Sequence, residues 1–287
     1  MAKDAPNFLQ GLTACFGFPV AENPTQAMIE PAYAAMGLAW RYLTVEVRPE
    51  NLGDAVRGAR AMGFKGFNCT IPHKVEVIRH LDELTPAAEK IGAVNCVAIR
   101  DGRLLGENTD GKGFLQSVRA LRPVDGANVV LLGAGGAARA IAVELALAGA
   151  AKITIVNRNE ERGRVLEARL KEVTKTATSF VPWTGTYVPD SATDLLVNST
   201  SIGLYPDVDA HVPVSLEPLG PDAIVCDVIP NPPKTRLIRD AQAKGLRTLD
   251  GLGMLVNQGV IGIELWTGGQ SPDPAVMRAA LEAIFGA

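Results

Sequence analysis

The chain has 287 residues, 47% hydrophobic and 21% charged, which excludes a disordered or fibrous protein and leaves room for about two domains with separate cores. With 28 basic against 31 acidic side chains, the formal net charge is −3. No cationic excess exists to grip a phosphate backbone, so nucleic acid is not expected as a partner. In chain order, the opening MAKDAPNFLQ lacks the apolar core of a signal peptide. Strands are expected at 12–18, 41–47 and 66–71, and helices at 24–36 and 51–62. That alternation implies parallel strands joined by crossover helices. Residues 94–108 read as two short strands around Asp101-Gly102, a hairpin signal.

A second alternating series starts near residue 128. NVVLLG (128–133), KITIVN (152–157), DLLVNS (194–199) and AIVCDV (223–228) are continuous apolar runs, as expected of strands covered on both faces. The stretches 252–266 and 274–285 read as helices. The most apolar stretch, 127–151, is broken by glycines and carries Arg139 and Glu144. It predicts buried strand plus helix, and no membrane span. The four cysteines form no C-x-x-C pair and only three histidines exist. Neither a metal site nor a disulfide framework is expected, and the pattern suits a reducing cytoplasm. The fold class is therefore α/β. An N-terminal, mainly parallel domain (1–107, completed by C-terminal helices in 256–287) adjoins a Rossmann-type domain (108–255), with a cleft between them.

VVLLGAGGAARA (129–140) is strand, tight turn and helix. Gly133, Gly135 and Ala138 fill the G-x-G-x-x-G/A fingerprint of dinucleotide binding. The first glycine turns the chain, and the second lets a pyrophosphate approach the backbone. The small third residue lets helix pack on strand, and the helix N-terminus faces the anion. The next strand ends at VNRNEER (156–162). A carboxylate there would hold the ribose 2′-hydroxyl of NAD. Asn157 stands in its place, followed by Arg158 and Arg162, whose guanidiniums suit a 2′-phosphate. The cofactor expected is NADP.

FNCTIPHKVEV (67–77) ends a strand on Pro72, with Lys74 immediately beyond. Asn95 starts the hairpin, and Asn108, Thr109 and Asp110 stand at the domain junction. A lysine–aspartate pair in an interdomain cleft suits reduction of a ketone, where an ammonium stabilises the developing alkoxide and delivers a proton. Taken singly, Lys74 also reads as surface decoration and Asp110 as a helix cap.

Together, the ordered motifs resemble the shikimate dehydrogenases almost end to end. NCTIPHK matches the family's Asn-Val-Thr-x-Pro-x-Lys. GAVN (92–95), GENTDGKGF (106–114), GAGGAARA, NRN with Arg162, NSTSIGL (198–204), DVIPNPPKT (227–235) and DGLGMLVNQGVIGIELWTG (250–268) follow in order. The resemblance implies that Lys74 and Asp110 are the catalytic pair, and that Asn95, Asp110 and Gln258 bind ring hydroxyls with Thr70 nearby. For NADP it implies Gly133, Ala134, Gly135, Gly136, Ala137 and Ala138 with Asn157, Arg158, Arg162 and Thr200, and backbone near Gly251 and Met254 beside the nicotinamide. It further implies 3-dehydroshikimate and shikimate as reactants and a place in aromatic amino-acid biosynthesis. A cytoplasmic monomer or homodimer is expected, a choice the sequence leaves open.

One motif departs. Where the family reads G-x-P-x-x-H-S-x-S-P, this chain reads GFPVAENPTQ (17–26). Glu22 replaces the histidine, Asn23 and Thr25 the two serines, and Gln26 the proline. Pro230 occupies the place of a tyrosine. The family's serines and tyrosine bind the substrate carboxylate. Asn23 and Thr25 can still donate hydrogen bonds, and Glu22 is expected beside them as a repulsive charge. Besides shikimate, three alternatives follow for the substrate: quinate, an amino-substituted analogue, or a cyclic polyol without a carboxylate. A non-catalytic NADP sensor is a further alternative.

Overall fold

The structure, a computed structural model, describes residues 8–286; residues 1–7, part of the segment read above for targeting signals, lie outside the described residues. The chain opens with β1 (Gly11–Gly17), α1 (Thr25–Ala35), β2 (Trp40–Glu46), α2 (Leu52–Ala61) and β3 (Gly66–Cys69). These three strands are parallel. Side chains of β1 alternate between two cores. Ala14 and Phe16 pack with Leu52 and Val56 of α2, while Cys15 packs with Met28, Ile29 and Tyr33 of α1. This is the period-two signature of a strand covered on both faces.

The strand expected to reach residue 71 ends at Cys69. Pro72 supplies no N–H, and the chain turns into the short helix α3 (His73–Glu76). Then follow β4 (Glu83–Leu84), α4 (Pro86–Ile91), β5 (Cys96–Arg100) and β6 (Arg103–Glu107). Strands β5 and β6 form the expected antiparallel hairpin. Asp101 (φ 49°) and Gly102 (φ 73°) both take the left-handed conformation that a two-residue turn of the matching twist requires. The sheet order is β2-β1-β3-β5-β6-β4.

The second unit runs α5 (Thr109–Arg119), β7 (Asn128–Leu132), α6 (Gly136–Leu147), β8 (Lys152–Asn157), α7 (Glu160–Val173), β9 (Ala177–Pro182), β10 (Leu195–Asn198), β11 (Ile224–Asp227), α8 (Arg236–Ala243) and β12 (Arg247–Leu249). Its strands are all parallel, in the order β12-β11-β10-β7-β8-β9. That is the doubly wound dinucleotide-binding order, with its switch point between β7 and β10. The edge strands β9 and β12 carry polar residues at half-solvated positions, so no apolar run announces them in the sequence.

Two long helices end the described chain, α9 (Gly251–Thr267) and α10 (Pro274–Phe285). A domain boundary at 255/256 falls inside α9 and is corrected here: the helix is continuous from Gly251. Leu252, Val256, Val260, Ile263 and Trp266 join the core of the first sheet. Helix α5, by contrast, sends Phe114, Leu115 and Val118 into the core of the second. The two units therefore meet along α5 and α9. At their closest approach a Cβ on Gly113 would stand 2.7 Å from both the Gln258 nitrogen and the Met254 oxygen. A side chain there has no room, so glycine lets α5 and α9 touch backbone to backbone.

Candidate active site

Lys74 lies in the first turn after β3, and Asp110 in the first turn of α5. Asn108, not Asp110, caps that helix: its side chain accepts from the Gly111 N–H at 3.4 Å. Asp110 is thus free to face the cleft. The Lys74 ammonium donates to Asp110 Oδ2 at 2.6 Å, and Asn95 Nδ2 donates to Asp110 Oδ1 at 2.8 Å. Asn95 is itself fixed: Nδ2 also reaches Gln258 Oε1 at 3.2 Å, and Oδ1 accepts from the Thr109 N–H at 2.6 Å. Four elements, α3, the start of β5, α5 and α9, therefore hold one polar cluster.

The cluster lines a cavity of about 130 Å³ with Asn23, Thr25 and Thr70, so the seven residues expected for catalysis and substrate binding line one cavity. Four further lining residues were not anticipated: Cys15, Asn68, Cys69 and Leu255. Asn68 belongs to the quoted NCT motif, but its orientation is a tertiary matter. Its Oδ1 accepts from Tyr42 at 2.7 Å, and its Nδ2 donates to the Asn95 carbonyl at 2.9 Å. Burial pushes the Cys15 thiol up to about 12, against a smaller opposing pull from the Lys74 ammonium. Cys15 is a neutral wall and not a nucleophile.

Asn23 forms an Asx turn, accepting from the Thr25 N–H through Oδ1 at 2.9 Å, and so starts α1. Its Nδ2 and the Thr25 hydroxyl make no hydrogen bond to the protein among the described residues and stay available to the cavity. The expected repulsion from Glu22 is corrected. Glu22 is exposed and absent from the lining, because the turn that aims Asn23 inward aims its neighbour at solvent. Gln26 also faces away, its Oε1 accepting from the N–H and hydroxyl of Thr44 on the edge strand β2. Pro230 does not line this cavity either.

The nucleotide side fits the expected dinucleotide. Gly133 has φ +111°, and a Cβ there would stand 3.0 Å from Ser199 Oγ. Gly135 and Gly136 face open space at the N-terminus of α6, where backbone N–H groups await an anion. Gly133, Ala134, Gly135, Asn157, Arg158, Arg162 and Thr200 line one groove of about 330 Å³. Gly136 lines an adjoining groove with Arg139, Arg162 and Lys74, which carries the nucleotide side to Lys74. Arg158 and Arg162 pair with no carboxylate among the described residues, which suits a 2′-phosphate. The side chain of Asn159 accepts from the Arg162 N–H at 2.9 Å and caps α7. Ala138 is fully buried and serves packing. Ala137, Gly251 and Met254 are not among the lining residues of these grooves. At Gly251 the helix start presses on the Ile229 carbonyl, 2.3 Å from where a Cβ would stand. Trp183 also lines the nucleotide groove and was not anticipated; it lies beyond an edge strand the sequence did not announce.

The chain is similar to known proteins over nearly its whole length. Family models described as the shikimate dehydrogenase substrate-binding domain, shikimate/quinate 5-dehydrogenase and the shikimate 5′-dehydrogenase C-terminal domain match residues 15–97, 117–201 and 251–282. The NADP(+)-dependent shikimate dehydrogenase of Desulforamulus reducens is 42% identical over 271 residues, covering 93% of this chain and 92% of the relative. The ligand-free 5-ketofructose reductase of Gluconobacter sp. strain CHM43 superimposes with a TM-score of 0.95 at 53% identity, covering 97% of this chain and all of that one. The Thermus thermophilus shikimate 5-dehydrogenase, solved with NADP(H) and shikimate, gives 0.84 at 36% identity, covering 96% of this chain and 99% of that one. The chain belongs to the shikimate dehydrogenase family of NADP-dependent oxidoreductases.

Proposed function

We propose that this protein interconverts a ketone and a secondary alcohol on a polyhydroxylated substrate, using NADP, with Lys74 and Asp110 as the acid–base pair. Residues 1–107 together with α9 and α10 hold the substrate, and the unit from α5 to β12 holds the dinucleotide. The observation that carries this reading is the 2.6 Å Lys74–Asp110 contact inside a cavity walled by amides and hydroxyls. When bound, the dihydronicotinamide supplies the hydride for the carbonyl carbon. Lys74 Nζ delivers a proton to the carbonyl oxygen, and Asp110 orients Nζ and balances its charge. Asn95 and Gln258 align the neighbouring hydroxyls. The reverse reaction returns the proton to Nζ.

The family's reaction joins 3-dehydroshikimate and shikimate, and the same groups serve it here. A specific observation favours a second substrate, a polyhydroxy ketone without a carboxylate, of the 5-ketofructose kind. The charged lining residues are Lys74 and Asp110, which neutralise each other. An anionic substrate group would be buried with no net counter-charge. At the far wall, the Asn23 amide and the Thr25 hydroxyl suit a neutral carbonyl or hydroxyl oxygen. The 5-ketofructose reductase at 53% identity acts on such a molecule.

The test compares kcat/KM with NADP(H) for 5-ketofructose, 3-dehydroshikimate, shikimate and quinate, on the wild type and on Asn23→Ser/Thr25→Ser/Pro230→Tyr. The expected outcome is higher kcat/KM for 5-ketofructose in the wild type. The triple variant should improve shikimate more than the ketose. A lowest KM for shikimate in the wild type, unimproved by the triple change, removes the substrate preference. No turnover of any of the four removes the enzymatic reading.

A further inference from the structure

We infer that Trp183 is a positioning residue for cofactor choice: its indole holds the Arg158 guanidinium ready for the 2′-phosphate. The inference rests on the NADP reading of the groove given above. Arg158 is exposed, lies between the end of β8 and the start of α7, and has no carboxylate partner among the described residues. A free arginine in that position would sample many rotamers and would give up that freedom on binding. Instead its guanidinium carbon sits 5.5 Å from the centre of the Trp183 ring, over the ring face. A cation over an indole is held there by the ring quadrupole.

Trp183 is held by its backbone, its indole N–H and its packing. The Trp183 N–H donates to the Asn157 carbonyl at 3.1 Å, extending the β8–β9 ladder by one residue. Its indole Nε1–H donates to the Pro213 carbonyl at 3.1 Å. The rest of the ring packs with Leu132, Val156 and Val212 in the core under the groove, leaving the residue 7% exposed. The anchor is therefore rigid where the arginine is not. Trp183 and Arg158 line the same groove as Arg162 and Thr200. A structural tryptophan needs only the core contacts; the guanidinium laid on its face connects it to the phosphate.

The test measures NADP and NAD dissociation constants by calorimetry on the full chain, with melting temperatures as a check on folding. Trp183→Leu should weaken NADP by about 3- to 10-fold, the scale of a cation–π contact, and leave NAD within about 2-fold. Trp183→Phe keeps a ring but drops the Nε1–H anchor, and should give a smaller loss, again confined to NADP. If Trp183→Leu fails to fold, Trp183→Phe carries the test. In an Arg158→Ala background neither change should weaken NADP further, because the two residues act as one unit. Equal losses for NADP and NAD, or the same NADP loss without Arg158, would show that Trp183 only shapes the groove and overturn the inference. A wild type that binds NAD as tightly as NADP would instead remove the cofactor reading, and Trp183's role with it.

Discussion

Asp110→Asn separates the catalytic reading of the cleft from a structural one. In the wild type each carboxylate oxygen accepts one donor, Lys74 Nζ at 2.6 Å and Asn95 Nδ2 at 2.8 Å. An amide offers one acceptor and one NH2 group. Whichever way it turns, the NH2 faces either the ammonium or the Asn95 amide, and one donor loses its partner. Lys74 keeps 29% of its side chain exposed and Asp110 14%, so water compensates part of that loss. The stability cost is therefore about 1–2 kcal/mol, below the full value of a buried charge-assisted bond. The rate cost is far larger. Without the carboxylate, Nζ is neither aimed at the substrate oxygen nor balanced in charge, and turnover should fall by about 10²- to 10⁴-fold. The assay follows NADPH oxidation at saturating substrate, with NADP binding and melting temperature measured alongside. Lys74→Ala should give a comparable loss, and the double variant should lose less than the product of the two, since the pair acts as a unit. Turnover within about 3-fold of wild type for Asp110→Asn would refute the assignment. So would a loss that merely tracks unfolding.

Two further outcomes test the framework around the site. Gly113→Ala would place a methyl group 2.7 Å from the backbone of α9. Overpacking of about 1–3 kcal/mol outweighs the gain in helix propensity of about 1 kcal/mol. The melting temperature should drop, and substrate KM should rise more than cofactor KM, because Gln258 shifts away from Asn95; an unchanged melting temperature contradicts the close packing of α5 and α9. Asp227 is buried at the end of β11, and burial lifts its carboxyl to about 6 against the pull of Asn198, Thr235 and the Ile229 N–H. The folded state then holds this proton more tightly than the unfolded chain does. Its contribution to stability is greatest below the ordinary carboxylate range and declines as pH rises toward about 6, by up to about 3 kcal/mol. Denaturant titrations across that window should show the decline in the wild type, while Asp227→Asn lacks it; identical slopes would place the titration elsewhere.

The sequence by itself determined the features that depend on neighbours along the chain. The glycine turn of 133–138, the apolar runs that became β7, β8, β10 and β11, and the hairpin at Asp101-Gly102 each carry a local steric or solvation requirement. Spacing is enough to express such a requirement. The candidate residues Lys74, Asn95, Asp110 and Gln258 were legible because their motifs are short and ordered. That they line one cavity follows from how α3, β5, α5 and α9 converge. The facing of Glu22 and Asn23 was decided by one Asx turn, which sends adjacent side chains to opposite sides. The assignment of α9 to the first sheet was decided by which core Leu252 and Val256 reach, although the helix follows the second unit in sequence. Trp183 was hidden for a related reason. It lies beyond a half-solvated edge strand with no apolar signature, 25 residues after Arg158, and only the pairing of β8 with β9 brings its ring beneath the guanidinium.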